Sequence, residues 1–211
     1  MELRQLELGP MANFVYIVGD PASKECAVVD PAWDVPAILK TVREAGWRLT
    51  RVFITHHHHD HINGLGELLS ECDVPVHVHK HDAEVLKAFS GSLKPSEGGD
   101  KISLGRQEIT LLHTPGHTEG SQCLLIEDRL VSGDTLFIGG CGRVDLPTSD
   151  PEKMYRSLRK LAALPDKTVL FPGHNYADDP SALLESEKRR NPYLKVSSTG
   201  ALDDFLSLVG A

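Results

Sequence analysis

The sequence predicts an α/β fold in which two β-sheets pack face to face and helices cover their outer faces. Strand-like segments occur in both halves of the chain, and segments with a helical spacing of apolar residues lie between them. The 211 residues are enough for one sizeable domain, and no repeat or low-complexity segment divides them. We therefore expect a single domain over residues 1–211, with a short helical tail from about residue 180.

The first half of the chain begins with alternating strands and continues with helices placed between strands. The predicted strands are Leu3–Leu8, Phe14–Val18, Cys26–Val29, Arg51–Thr55 and Val76–Val78. The predicted helices are one from Val35 to Gly46, one over Ile62–Leu69 and one over Ala83–Phe89. The segment Ser92–Asp100 is rich in Gly, Pro and Ser, so we expect a loop there.

The second half of the chain repeats this alternation and ends in helices. The predicted strands are Ile102–Leu104, Ile109–Leu112, Gln122–Ile126, Leu130–Val131 and Thr168–Phe171. A helix is predicted over Pro151–Leu164, with Asp150 as its N-cap and proline at its first position. Two further helices, Pro180–Arg190 and Leu202–Val209, are expected on either side of a break at Asn191-Pro192.

Composition excludes several classes of protein. The formal net charge of −8 argues against a protein that binds the phosphate backbone of nucleic acids. No apolar run approaches the ~18 residues of a membrane span, and the charged N-terminus does not resemble a signal peptide. The four cysteines are far apart and form no CxxC pair, which is typical of a reducing compartment. We expect a cytoplasmic protein without nucleic-acid or membrane partners; the oligomeric state is left open.

The most unusual feature is a histidine run, which holds five of the 11 histidines between His56 and His61. His56 and His58 are two positions apart, so in an extended segment they point to the same side. Asp60 and His61 fall where the next helix begins, and there they can face a second point. Imidazole and carboxylate groups suit zinc, iron or manganese, so the run predicts two pairs of ligands for two neighbouring ions.

Three further polar residues follow apolar strands beside Pro or Gly. His117 lies in TPGHT, Asp134 in SGDT and His174 in PGHN. Each one alone is typical of a turn residue. Together they indicate loops that converge on one rim of the fold, where sites on layered proteins are usually built.

These motifs, with THHHHDH, resemble the metallo-β-lactamase superfamily in its glyoxalase II-like branch, the hydroxyacylglutathione hydrolases. The resemblance implies an αββα sandwich with a centre for two divalent metal ions. Zinc is the expected metal, and iron and manganese are the alternatives. It implies one ion on His56, His58 and His117, the other on Asp60, His61 and His174, and Asp134 as a bridge between the two.

The resemblance also implies a reaction, the hydrolysis of a small-molecule thioester by metal-activated water. Asp60 and Asp134 are the expected catalytic residues that orient this water. Arg143 and Tyr176 are the expected substrate contacts. A glutathione conjugate is one possible substrate, although Asp145 stands where the related hydrolases have a tyrosine that contacts glutathione.

The alternative reaction is that of a different class of enzymes in the same superfamily, the glutathione persulfide dioxygenases. His56, His117 and Asp134 alone form a two-histidine, one-carboxylate triad that suits a single Fe(II). The segment Gly140–Asp145 is similar to the corresponding segment of those dioxygenases. We favour the hydrolase, and a metal-binding scaffold without activity is a third hypothesis.

Other candidate residues are interpreted as structural. Alternation along the run turns His57 away from the metals. His77, His79 and His81 recur along a strand, and we expect them to pack without binding metal. Cys141 has no base beside it in the sequence, so it is not expected to act as a nucleophile.

Overall fold

A computed structural model describes all residues of the chain, from Met1 to Ala211. Its first sheet contains six strands that lie side by side in chain order. They are β1 (Glu2–Leu8), β2 (Asn13–Asp20), β3 (Glu25–Val29), β4 (Arg48–Phe53), β5 (Val76–His79) and β6 (Leu93–Ser96). Strands β1 to β3 pair antiparallel, and β3 to β6 pair parallel.

The second sheet also contains six strands, and a two-stranded ribbon stands beside it. The strands of the sheet are β7 (Lys101–Leu104), β8 (Gln107–His113), β9 (Gln122–Ile126), β10 (Arg129–Gly133), β13 (Val169–Pro172) and β14 (Ala182–Leu183). The ribbon consists of β11 (Leu136–Phe137) and β12 (Gly140–Cys141). Only β10 and β13 pair parallel in this sheet, in the order β14-β13-β10-β9-β8-β7.

Eight α-helices and one 3₁₀-helix, Lys87–Phe89, connect or cover the sheets. The α-helices are α1 (Val35–Glu44), α2 (His59–Ile62), α3 (Leu65–Glu71), α4 (Lys80–Ala83), α5 (Pro151–Ala162), α6 (Leu184–Arg190), α7 (Pro192–Thr199) and α8 (Leu202–Val209). None of them combines the length and the apolar character that a membrane crossing requires.

The alternation of side chains along β2 shows how the layers are built. Phe14, Tyr16 and Val18 point into the space between the sheets, where they pack with apolar residues of β8 and β9. Val15 and Ile17 point outward and are covered by α1. Helices α5, α7 and α8 cover the outer face of the second sheet in the same way. The predicted sandwich of two sheets between helical layers is therefore confirmed.

The expectation of a loop over Ser92–Asp100 is wrong, because Leu93–Ser96 forms the edge strand β6. Leu93 pairs with Val76 of the neighbouring strand in parallel register. An edge strand tolerates Pro95, since only one of its sides needs backbone donors. Local composition indicated a turn, and tertiary pairing overrode it.

Two of the helix predictions also differ from the structure. The helix expected over Ile62–Leu69 is two helices, α2 and α3, which meet near Gly64. A side chain at Gly64 would collide with Val35 and with the Pro31 carbonyl, so this junction needs close packing. The helix expected over Ala83–Phe89 is replaced by α4, which starts at Lys80, and by the 3₁₀ turn.

The tail contains three helices where two were expected. Helix α6 starts at Leu184, because the two preceding residues form β14 on the edge of the second sheet. The break at Asn191-Pro192 is also the start of α7. There the Asn191 side chain accepts hydrogen bonds from the backbone N–H groups of Tyr193 and Leu194.

Candidate metal centre

Four loops meet at one rim of the sandwich, and each follows the end of a strand. The histidine run follows β4, His117 follows β8, Asp134 follows β10 and His174 follows β13. Because β10 and β13 are parallel neighbours, Asp134 and His174 leave the second sheet side by side. The run comes from the first sheet, so the site lies between the edges of the two sheets.

His56, His58 and His117 form the first set of candidate ligands. Their ring centroids are 4.6–4.9 Å apart, and the ring planes cross at 73–88°. One nitrogen of each ring lies within 4.8 Å of the others. Rings that cross steeply can aim their nitrogen lone pairs at one point, as a metal ion requires.

Asp60, His61 and His174 form the second set. His61 Nε2 is 3.2 Å from His174 Nε2 and 3.4 Å from Asp60 Oδ2, and His174 Nε2 is 3.5 Å from the same oxygen. Asp60 and His61 lie in the single turn of α2, and His58 is its N-cap.

Asp134 lies between the two sets and contacts both. Its Oδ2 is 3.5 Å from His117 Nε2 and 3.3 Å from His174 Nε2, and its Oδ1 is 3.3 Å from His61 Nε2. The family resemblance implies a bridging role for this residue, and its carboxylate lies within 3.5 Å of histidines of both sets. The structure thus brings together all seven of the expected ligands.

Four of the five candidate histidine ligands are held from behind by hydrogen bonds to Nδ1. The pairs are His56 with Thr55 Oγ1 at 3.0 Å, His61 with Asp30 Oδ2 at 3.0 Å, His117 with the Arg143 carbonyl at 2.9 Å and His174 with the Met11 carbonyl at 2.9 Å. A carbonyl can only accept, so Nδ1 carries the hydrogen in the last two rings. Their Nε2 atoms therefore present lone pairs to the centre, as in metal-binding histidines.

Two further observations test whether divalent ions fit these residues. His56 Nε2, His117 Nε2 and Asp134 Oδ1 are buried without a hydrogen-bond partner, which costs about 1–3 kcal/mol for each group unless a cation satisfies it. Tetrahedral ligands about 2.0–2.1 Å from zinc lie about 3.3–3.4 Å from one another. The nitrogen–oxygen contacts of 3.3–3.5 Å match that spacing. The residues fit the expected ions.

Burial and the carboxylates of Asp134 and Asp30 set the pKa values of the histidines at the centre. Burial lowers the pKa of His58 to about 4 and holds that of His56 well below its usual range. Burial also opposes charge on His61, but Asp134 and Asp30 hold its pKa well above the usual range. Without a cation, the Asp134 and Asp30 carboxylates therefore favour a protonated His61, and a metal ion would supply the positive charge in place of that proton.

Asp30 is a supporting residue that the sequence analysis missed. It ends β3 in a left-handed conformation, with a φ of 52°. Its carboxylate accepts from the Thr55 N–H at 2.7 Å and the Thr55 hydroxyl at 2.5 Å, and it also contacts His61 Nδ1. This carboxylate fixes the run where it leaves β4. Its position at the end of a strand was the available signal.

Asn13 and Asp82 are two more supporting residues outside the expected set. Asn13 Nδ2 donates to Asp60 Oδ2 at 2.9 Å and so orients that carboxylate. Asp82 accepts from the His57 N–H, the Thr118 hydroxyl and the Gly120 N–H, all at 2.8–2.9 Å. It therefore ties the histidine run to the loop of His117.

The remaining histidines of the run and of β5 lie where the sequence analysis expects. The ring of His57 points away from the centre, with Nδ1 2.9 Å from Asp82 Oδ2. His77 stacks on Phe53, and His79 stacks on His113. These rings fill packing roles outside the centre.

A cavity of about 420 Å³ opens over the centre, and both expected substrate contacts line it. Tyr176 stacks on His174 with ring centroids 4.7 Å apart, and 60% of it is exposed. The backbone carbonyl of Arg143 accepts a hydrogen bond from His117 Nδ1 at 2.9 Å. His59 also borders the cavity. Cys141 is outside it, and burial raises the pKa of its thiol to about 12, so it carries no thiolate.

Comparison with known proteins places this geometry in a family. Residues 8–174 match the model of the metallo-beta-lactamase superfamily. The chain is 36% identical to a hydroxyacylglutathione hydrolase of Photobacterium profundum, over 87% of this chain and 69% of that protein. It is 30% identical to a probable polyketide biosynthesis zinc-dependent hydrolase, BaeB, of Bacillus velezensis, over 88% of this chain and 83% of that protein.

A solved structure is similar over the whole length of the chain. The crystal structure of ETHE1 from Myxococcus xanthus superimposes with a TM-score of 0.87 at 30% identity, over 100% of this chain and 90% of that one. The chain spans only 62% of the length of several other hydroxyacylglutathione hydrolases that it matches. With seven convergent candidate ligands and a matching family model over residues 8–174, the chain belongs to the metallo-beta-lactamase superfamily.

Proposed function

We propose that this enzyme is a metal-dependent hydrolase that cleaves the thioester of a small thiol, as the glyoxalase II-like branch of its family does. The observation that carries the proposal is the position of Asp134, whose carboxylate lies within 3.5 Å of His117 in the first set and of His61 and His174 in the second. The relatives named hydroxyacylglutathione hydrolase and zinc-dependent hydrolase support the same reaction class.

His56, His58 and His117 would hold one ion, Asp60, His61 and His174 the other, and Asp134 would touch both. When bound, the ions make water available as a nucleophile at neutral pH and polarise the thioester carbonyl. Zinc suits this mixture of imidazole and carboxylate ligands, and iron or manganese is also compatible with it.

The carboxylates of Asp60 and Asp134 orient the attacking water. Asp60 is fixed by Asn13, and Asp134 Oδ1 is a buried acceptor without a hydrogen-bond donor. Water adds to the carbonyl carbon and the carbon–sulfur bond then breaks. The products are a carboxylic acid and a free thiol, so no oxidant or further reactant is needed.

Arg143 and Tyr176 contact the substrate in this proposal. Both line the cavity over the centre. The Tyr176 hydroxyl and the guanidinium N–H groups of Arg143 can donate to carbonyl oxygens of the thiol carrier. Glutathione is one candidate carrier. The cytoplasm is the proposed location, in agreement with four cysteines that are all unpaired thiols.

Persulfide dioxygenation by a single Fe(II) is the second candidate function. The similarity of the whole chain to ETHE1 favours it. It would use only His56, His117 and Asp134, and would leave unexplained why Asp60, His61 and His174 converge on the same carboxylate.

Metal analysis combined with two assays separates these functions. Protein purified without added metal is analysed for zinc and iron, then tested for thiol release from S-lactoylglutathione and for oxygen uptake with glutathione persulfide. About two ions per chain with thiol release is the expected result. About one iron per chain, with oxygen uptake and no thiol release, would replace the hydrolase by the dioxygenase.

A further inference from the structure

We propose that the enzyme prefers thioesters that join an apolar acyl group to an uncharged thiol carrier. Asp145 sets the preference for an uncharged carrier, because its carboxylate pairs with the Arg143 guanidinium. The inference rests on the proposed thioesterase activity and specifies its substrate class.

The wall of the cavity beside the metal centre is apolar. It is formed by Met11, Phe137, Leu146, Pro147 and the ring of Tyr176. Met11 is 47% exposed and Tyr176 60% exposed, although both are large apolar or aromatic side chains. The Phe137 and Tyr176 rings meet edge to face, 5.4 Å apart. A wall of this kind binds hydrocarbon by removing it from water.

Positive charge is scarce at the same cavity. Arg143 is the only Lys or Arg that lines it. The Arg143 guanidinium is already held by the carboxylate of Asp145 through two hydrogen bonds, Nε to Oδ1 at 2.9 Å and Nη2 to Oδ2 at 2.8 Å. A carboxylate of the substrate would have to displace Asp145 or approach a pair whose charges cancel.

Arg143 can still contact an uncharged carrier. A guanidinium has five N–H donors, and Asp145 takes two of them, which leaves three for amide carbonyl oxygens. The arginine can therefore bind amide carbonyl oxygens of a carrier, and the exposed pair with Asp145 weakens its attraction for a substrate anion.

A second cavity, also of about 420 Å³, lies on the other side of this ion pair and extends the argument. Arg143 and Asp145 line it together with Val144, Tyr193 and Leu208 of the tail. It contains no further Lys or Arg. Beyond the metal centre, a carrier that extends past Arg143 thus meets no Lys or Arg without a carboxylate partner in either cavity.

The preference is tested with four substrates, the acetyl and hexanoyl thioesters of N-acetylcysteamine and of glutathione. Release of free thiol gives kcat/KM for each. We expect kcat/KM to rise about two- to fourfold for each added methylene, as burial of hydrocarbon predicts. We expect the N-acetylcysteamine thioesters to be cleaved at least as well as the glutathione thioesters.

The assignment of Asp145 is tested by the Asp145→Asn variant. Its ratio of kcat/KM for glutathione over N-acetylcysteamine thioesters should rise up to about fivefold, the limit for an exposed ion pair, and the gain should shrink in high salt. The gain should be lost in the double variant Arg143→Gln/Asp145→Asn. The matched control is Glu152→Gln, which removes the carboxylate of the exposed pair with Arg156 and should leave the ratio unchanged.

The outcomes separate the two proposals. Thiol release from none of the substrates would contradict the thioesterase itself. Thiol release without dependence on acyl length, or with a strong preference for glutathione in the wild type, would overturn the inference and leave the thioesterase standing. An unchanged ratio in Asp145→Asn would remove Asp145 as its cause.

Discussion

Eight of the 11 histidines lie in two clusters that differ in how their rings meet. In the metal-centre cluster (His56, His58, His61, His117 and His174), the three rings of the first set cross at 73–88°. In the stacked cluster (His79, His81 and His113), His79 and His113 lie parallel, with centroids 3.8 Å apart and planes at 10°. Crossed rings aim nitrogens at a shared point, whereas stacked rings aim them along parallel planes.

The carboxylates beside the two clusters differ as well. Asp134 has a buried oxygen without a hydrogen-bond partner, directed into the metal-centre cluster. Asp82, near the stacked cluster, uses its oxygens on the backbone and on Thr118. His113 Nε2 is likewise occupied, by the Glu119 carbonyl at 2.9 Å. Proximity of histidines alone therefore does not make a metal site. A metal site requires nitrogen lone pairs without hydrogen-bond donors that converge, together with a carboxylate oxygen, on one point.

The largest expected effect is that of Asp134→Ala in the metal-centre cluster. Loss of the residue that touches both sets should lower metal content and reduce kcat/KM on the order of 10³-fold or more, because metal catalysis supplies several kcal/mol. Metal per chain and thiol release are measured side by side. His79→Phe, in the stacked cluster, is the control and should retain its metal. Two ions and full activity in Asp134→Ala would contradict the bridging role.

A smaller effect is expected for Asp30→Asn, which alters the support of His61 and not a ligand. Metal affinity should fall about 10–100-fold, as is typical for a carboxylate behind a metal-binding histidine, and excess metal should restore activity. Titration of the metal-free protein with zinc measures the change. Asp128→Asn, whose carboxylate pairs with Arg129 on the surface, should bind zinc as the wild type does. Equal affinities would show that Asp30 only stabilises the fold.

The stacked cluster should reveal itself in the pH dependence of stability. Burial lowers the pKa of His79 from 6.5 to about 4 in the folded protein. Between these values the unfolded chain binds a proton that the folded protein does not, so the free energy of unfolding falls as the pH is lowered through this window. Metal-free wild type should lose about 2 kcal/mol more than His79→Phe between pH 7 and pH 4.5. Urea titrations of both proteins at both pH values measure the free energy of unfolding. Equal losses in the wild type and in His79→Phe would contradict a lowered pKa of His79 as the cause.

The smallest effect is expected within the histidine run itself. His57→Ala should keep full metal content and lose about 0.5–1.5 kcal/mol of stability, because the contacts of the ring with Asp82 and with the His58 ring disappear. His58→Ala, one position further, should lose metal. Metal analysis and thermal unfolding of the two variants compare neighbours in the chain that face opposite sides. Metal loss in His57→Ala would show that alternation does not govern the run.

The predictions from sequence succeeded for elements that the local sequence pattern alone specifies. Strand Gln122–Ile126 and helix Leu202–Val209 have the expected bounds, and the Asp150 cap with its proline starts α5 as expected. The predictions failed at β6, where pairing with β5 overrides a composition rich in Pro and Gly. They also failed at α7, because Asn191-Pro192 was predicted only as a break between helices and is in fact the N-cap and first residue of a further helix. Asn13 and Asp82 escaped notice because nothing in their local sequence distinguishes them from other polar residues, whereas Asp30 carried one signal, its position directly after a strand.

The sequence by itself determined which chemical groups are available for the site. The spacing of His56 and His58 in an extended segment, and of Asp60 and His61 at a helix start, is a local property, so it can be read from the chain. Only the tertiary structure decided how those groups are aimed and held. The contacts that do so join Asp30 to His61, Asn13 to Asp60 and Met11 to His174, which are 31, 47 and 163 positions apart. Such contacts depend on the packing of two sheets, and no periodicity in a single segment encodes them.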